Sequence, residues 1–230
     1  MPPLARPNEA IIVIIGMRGA GKTTLSREAA RLLDCEFADL DELITRANCG
    51  KRPPELVQER GWEGFRELEL SALSQALAGE HARLRPAVVA CGGGVVETAR
   101  GVEQLEHHWP VVFIDRHIDD IAEYLERAAG STEAHRVPLG EDVRETYRRR
   151  LPKYESCADF RLPVVAGEAD TACLGRALAR LLRLIVGAGG GVYLGPDTFS
   201  VSMGIRDVNR VPADLIESVA IGADVLELRV

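Results

Sequence analysis

Ile11-Ile12-Val13-Ile14-Ile15 runs without a break into Gly16-Met17-Arg18-Gly19-Ala20-Gly21-Lys22-Thr23. An unbroken apolar run of this length reads as a buried strand. The pattern after it is G-x-x-x-x-G-K-T, and residues 22–33 carry apolar side chains at helical spacing. Strand, glycine loop and helix in this order make a phosphate cradle. The glycines let backbone N–H groups curl around an anion, and the helix N-terminus adds its positive dipole end. In such a loop Lys22 reaches the outer phosphates and the Thr23 hydroxyl ligates Mg2+.

Working outward, strand-like runs recur at 87–90 and 111–114, with weaker ones at 36–38 and 159–162. Helical spacing occupies 41–47, 54–60, 63–78, 98–107, 118–128, 142–154 and 171–185. Strands alternating with helices predict an α/β fold, a parallel sheet with helices on both faces. Ligands then gather at the carboxyl ends of the strands, where the first loop already holds phosphate. Gly187-Ala188-Gly189-Gly190-Gly191 interrupts the rhythm and reads as a linker. Beyond it, 198–203 reads as a strand, 212–220 as a helix and 225–230 as a second strand. One such βαβ unit cannot cover both faces of its sheet, so the tail is expected to be an incomplete piece of a larger polypeptide.

Composition limits the function. The 230 residues are 46% hydrophobic and 27% charged, the balance of a globular chain. A net charge of −7 argues against a nucleic-acid surface, which needs a basic face. Arg144, Arg148, Arg149, Arg150 and Lys153 share one predicted helix, either as a solvated face or around a small anion. The five cysteines are widely spaced and form no C-x-x-C pair, which favours reduced thiols in the cytoplasm over a disulfide frame or zinc site. No apolar run approaches membrane-spanning length.

Three further stretches carry chemistry. Phe37-Ala38-Asp39-Leu40-Asp41 puts two carboxylates at the end of the second strand. Alternate residues of an extended segment point the same way, so Asp39 and Asp41 are expected to face one cleft. One would hold Mg2+ or its waters and the other a substrate hydroxyl; helix capping is the plainer alternative. In Gly61-Trp62-Glu63-Gly64-Phe65-Arg66-Glu67-Leu68-Glu69, Arg66 and Glu69 share a helix face, so Glu69 can fix a guanidinium suited to a carboxylate. Ala87-Val88-Val89-Ala90-Cys91-Gly92-Gly93-Gly94 ends a buried strand in three glycines, letting backbone N–H groups approach a ligand.

GMRGAGKT, FADLD, GWEGFR and CGGGVV, in this order and spacing, resemble the shikimate kinases over about residues 10–186. The wording is most similar to the kinase domain of the fungal pentafunctional shikimate-pathway polypeptide. The resemblance implies a P-loop kinase fold and phosphorylation of the 3-hydroxyl of shikimate. It implies that Gly16, Gly19, Ala20, Gly21, Lys22, Thr23 and Thr24 bind ATP, and that Thr23 and Asp39 hold Mg2+. Asp41 becomes the catalytic base. Arg66 and Arg150 grip the shikimate carboxylate, and Gly92, Gly93 and Gly94 line its ring. Arg136 matches a mobile lid arginine, although the sequence reads Arg136-Val137-Pro138 where the family has arginine followed directly by proline. Arg127 is the candidate adenine contact.

The tail TFSVSMGIRDVN…GADVLELRV is similar to the start of type I 3-dehydroquinate dehydratases, with Glu227 and Arg229 at substrate-binding positions. The lysine and histidine completing that site would lie beyond Val230, so no dehydratase activity is expected. The implied domains are a kinase-like unit over 1–186, a linker over 187–197 and a dehydratase-like start over 198–230. The same order also resembles the fungal quinate-pathway repressors. There a kinase-like domain senses a pathway metabolite without turnover and contacts a transcriptional activator.

Overall fold

The computed structural model describes residues 11–78, 87–129, 142–186, 200–204 and 225–229. Its main sheet has five parallel strands: β1 (Ile11–Ile15), β2 (Glu36–Asp39), β3 (Ala87–Ala90), β4 (Val111–Arg116) and β5 (Phe160–Val164), in the order β2-β3-β1-β4-β5. The apolar run that opens the fold is the central strand, and every residue of β1 is buried. A strand flanked on both sides and covered on both faces has no polar side to present, which is why no alternation appears in its sequence.

The helices are α1 (Lys22–Leu33), α2 (Leu40–Ala47), α3 (Pro53–Leu77), α4 (Ala99–Glu106), α5 (Ile118–Ala129), α6 (Val143–Cys157) and α7 (Thr171–Val186). After β1 the chain runs out to β2, returns through β3, then crosses β1 to build β4 and β5. The two neighbours of β1 therefore lead away in opposite directions, and the reversal opens a crevice at the carboxyl ends of the strands.

The expected helices at 54–60 and 63–78 abut as the single element α3, broken at Gly61, where φ is 70° and ψ is 175°. A Cβ at Gly61 would meet nothing within 4 Å, so the backbone conformation, not crowding, calls for glycine there. The second arm of α3 carries Phe65, Arg66 and Glu69.

A separate parallel pair, β6 (Ser200–Gly204) and β7 (Val225–Arg229), is registered from Ser200↔Val225 to Gly204↔Arg229. The linker at 187–197, the helix expected at 212–220 and Arg136 lie outside the described residues. Among the described residues no helix is long and apolar enough to cross a membrane.

Candidate active site

The loop after β1 is shaped by glycines at positive φ: 145° at Gly16, 86° at Gly19 and 92° at Gly21. A Cβ at Gly16 would stand 2.6 Å from the Ile114 carbonyl oxygen, so the loop turns hard against β4. The Ala20 N–H closes a turn on the Met17 carbonyl at 3.1 Å. Gly21 caps α1 without any side-chain acceptor, the arrangement of helix N-termini that meet an anion. Lys22 is buried, and its Nζ donates to the Met17 carbonyl at 3.0 Å.

Thr23 Oγ1 donates to Asp39 Oδ2 at 2.6 Å, which joins the start of α1 to the end of β2. The other Asp39 oxygen accepts from the backbone N–H groups of Asp41, at 2.9 Å, and Glu42, at 3.4 Å. This corrects the expected geometry of the acidic pair. Asp39 ends the strand and caps α2, whereas Asp41 stands in the first helical turn, so the two are not alternate residues of one extended segment. Both still line the same crevice, and the capping role and the cleft-facing role coexist in Asp39.

At the other end, Arg66 Nη1 hydrogen-bonds Glu69 Oε2, and its guanidinium lies over the Trp62 ring with 4.9 Å to the centroid. The pair is sequestered: Arg66 is 16% and Glu69 5% exposed at the side chain. Burial raises the Glu69 carboxyl above its usual range, and the Arg66 charge and hydrogen bond pull against that rise.

The triple glycine makes room mainly for these side chains. A Cβ at Gly92 would fall 2.5 Å from Glu69 Oε1 and 3.4 Å from Asp41 Oδ1. At Gly93 it would fall 2.7 Å from the Arg18 amide nitrogen, and at Gly94 2.0 Å from Arg66 Nη1. All three glycines also line the crevice.

Thr23, Asp39, Asp41, Gly92, Glu69 and Arg66 thus line one crevice of about 610 Å³, with Thr23 bonded to Asp39 and Arg66 to Glu69. Gly19, Gly21, Lys22, Thr23 and Thr24 line it, as do Arg150 and Arg127. Gly16 and Ala20 are not among the lining residues; they shape the loop from behind. Of the basic residues on α6, Arg150 is buried at the crevice, whereas Arg144 and Arg149 are tied to Asp119 and Glu97. Cys91 also lines the crevice, but burial pushes its thiol up, so it stays protonated and is no nucleophile.

A family model for shikimate kinase matches residues 18–169. The chain belongs to the shikimate kinase family. Among solved structures it resembles a shikimate kinase from Bacteroides thetaiotaomicron at 29% identity, covering 76% of this chain and 98% of that one, with a TM-score of 0.62. A shikimate kinase from Acinetobacter baumannii, in complex with shikimate, matches at 25% identity over 75% of this chain and 92% of that one, TM-score 0.61. One from Aquifex aeolicus matches at 26% identity over 79% and 99%, TM-score 0.57.

Several lining or supporting residues were not legible as part of the site. Glu97 bridges Arg149 and Arg150, yet in sequence it is one acid after a glycine run. At the far end Arg116 Nη2 donates to the Glu168 carbonyl at 2.9 Å, and Asp120 accepts from Gly167 N–H at 3.0 Å. These two bonds hold the loop after β5 against the crevice, between elements too distant in sequence for spacing to reveal.

Proposed function

We propose that this chain transfers the γ-phosphoryl group of ATP to the 3-hydroxyl of shikimate. The observation that carries the reading is the crevice that joins a phosphate loop, an acidic pair, a buried arginine and a partly buried one. Gly19, Gly21, Thr23 and Thr24 would cradle the phosphates, and Lys22 would leave the Met17 carbonyl to meet the outer ones. Arg66 and Arg150 would grip the shikimate carboxylate, and Gly92, Gly93 and Gly94 would wall the ring.

Mg2+ fits the donors present. Thr23 Oγ1 and Asp39 Oδ2 are hard oxygens already within 2.6 Å, and among the described residues no group of three or more acidic, histidine or cysteine side chains competes for a metal. Bound there with nucleotide oxygens and water, the ion would offset charge on the transferring group. Asp41 would accept the proton of the 3-hydroxyl as its oxygen bonds the γ-phosphorus and the bond to the β-phosphate oxygen breaks, releasing ADP. Lys22 would stabilise the charge that gathers on the γ-phosphoryl oxygens, as would Arg136 in the role that the resemblance implies for it.

The parallel pairing of β6 with β7 supports dividing the chain into a kinase unit over 1–186, a linker over 187–197 and the start of a dehydratase-like unit over 198–230. The deciding experiment incubates purified protein with Mg-ATP and shikimate and looks for shikimate 3-phosphate by mass spectrometry. Product that depends on enzyme supports the kinase. Saturable binding of both ligands with no product would overturn turnover and support the ligand-sensing reading instead.

A further inference from the structure

Glu97 closes the short 3-10 turn Val95–Glu97 directly after the glycine loop. Its Oε1 accepts from Arg150 Nε at 2.6 Å, and its Oε2 accepts from Arg149 Nη1. The two bonds differ in surroundings. Arg149 is 46% exposed, so that contact is screened by water, whereas Arg150 is 5% exposed and lies in the dry wall of the crevice.

Arg150 is also fixed from its other side. Its Nη1 donates to the Gly93 carbonyl at 2.9 Å, and the Tyr154 hydroxyl donates to the same oxygen at 2.5 Å. Tyr154, one helical turn further along α6, is fully buried and stacked on Phe113 at 5.2 Å between ring centroids. With Nε held by Glu97 and Nη1 by the Gly93 carbonyl, Nη2 is the end of the guanidinium that these two bonds leave for a ligand. Glu69 and Arg66 repeat the device on α3, where a buried carboxylate likewise holds a crevice-lining guanidinium.

We propose that Glu97 is a positioning residue: it holds Arg150 by Nε so that Nη2 meets the carboxylate of the acceptor, and it thereby sets acceptor affinity. The choice of acceptor rests on the function proposed above; the hold on Arg150 does not. Burial pushes the Glu97 carboxyl up, but the Arg149 hydrogen bond and the Arg150 charge outweigh this and keep it below its ordinary range. The residue is therefore anionic at neutral pH, as the hold requires.

The test has two arms. The first needs no substrate: in 15N-labelled protein the Arg150 Nε–H signal is assigned by its loss in Arg150→Lys, and its exchange with solvent is timed. Glu97→Ala should accelerate that exchange at least tenfold, and unchanged exchange would overturn the hold. The second arm uses Glu97→Gln, which preserves shape, with folding checked by circular dichroism. Its KM for shikimate should rise about tenfold while its KM for ATP stays within about twofold. In an Arg150→Lys background the same substitution should add little, because both changes act on one contact. An unchanged shikimate KM, or parallel rises for both substrates, would overturn the role. Failure of the unsubstituted protein to use shikimate would count against the proposed function, and the first arm would still decide whether Glu97 holds Arg150.

Discussion

The Asp41 amide donates to Asp39 Oδ1 at 2.9 Å, so one carboxylate of the acidic pair anchors the helical turn that carries the other. The second Asp39 oxygen reaches Thr23 at 2.6 Å. A single side chain therefore ties the start of α1, the end of β2 and the turn that carries Asp41 into one unit, which holds the proposed metal donors beside the proposed general base. Its two duties can be separated by substitution.

Asp39→Asn should keep the cap, since asparagine caps helices as well as aspartate, while removing the charge offered to Mg2+. Its thermal stability should stay within about 0.5 kcal/mol of the parent, but far more Mg2+ should be needed for half-maximal turnover. Asp39→Ala should lose about 1 kcal/mol of stability in addition. Equal stability of the two variants in urea titrations would deny the capping role.

Lys22→Ala should cut kcat/KM at least a hundredfold, roughly 2.7 kcal/mol of transition-state stabilisation. The buried Nζ is poised beside the phosphate loop, bonded to the Met17 carbonyl. Near-normal ADP release in a coupled assay would refute the assignment.

Arg66→Ala should weaken shikimate binding while ATP binding survives, as read by calorimetry with each ligand. It should also leave a pH signature. Burial already raises the Glu69 carboxyl in the folded state, and the charge and hydrogen bond of Arg66 oppose that rise. Without Arg66 the carboxyl should titrate higher still. A group raised on folding contributes stability below its unfolded pKa and loses it as pH climbs through the folded pKa. The stability gap between variant and parent should therefore widen from pH 5 to pH 8 in urea unfolding. A gap that stays constant would show that Glu69 does not depend on Arg66.

Gly94→Ala should lower shikimate affinity with little change in ATP affinity. The added methyl would fall 2.0 Å from Arg66 Nη1, and the far end of that side chain must swing away. Unchanged shikimate binding would mean that Arg66 can shift without cost to the grip.

The central part of the fold was legible because its signals are local. An apolar run, a glycine loop and a helix adjoin in sequence, and the predicted limits of α1 coincide with Lys22–Leu33. Arg66 and Glu69 were legible as a pair because helical spacing alone brings them together. The acidic pair was harder to read. FADLD reads as a strand end with two carboxylates alternating on it, with capping as the alternative; Asp39 caps α2, and the helix starts at Leu40. Gly61 stood between two expected helices and proved to be a kink inside one element, where a single residue at positive φ turns the chain. Glu97 and the Gly93 carbonyl could not be foreseen as partners of Arg150. Their meeting depends on how α6 packs across the sheet, which no local pattern encodes.

The two guanidinium groups proposed to grip the acceptor each arrive with an anion attached, Arg66 with Glu69 and Arg150 with Glu97. The pocket is thus close to electrically balanced before anything enters. Chloride or free phosphate gains little from long-range attraction into such a place. Selection falls to a molecule whose ring fills the glycine wall while its own carboxylate meets the remaining donor hydrogens. Discrimination by fit instead of by net attraction is what an acidic protein surrounded by small inorganic anions requires.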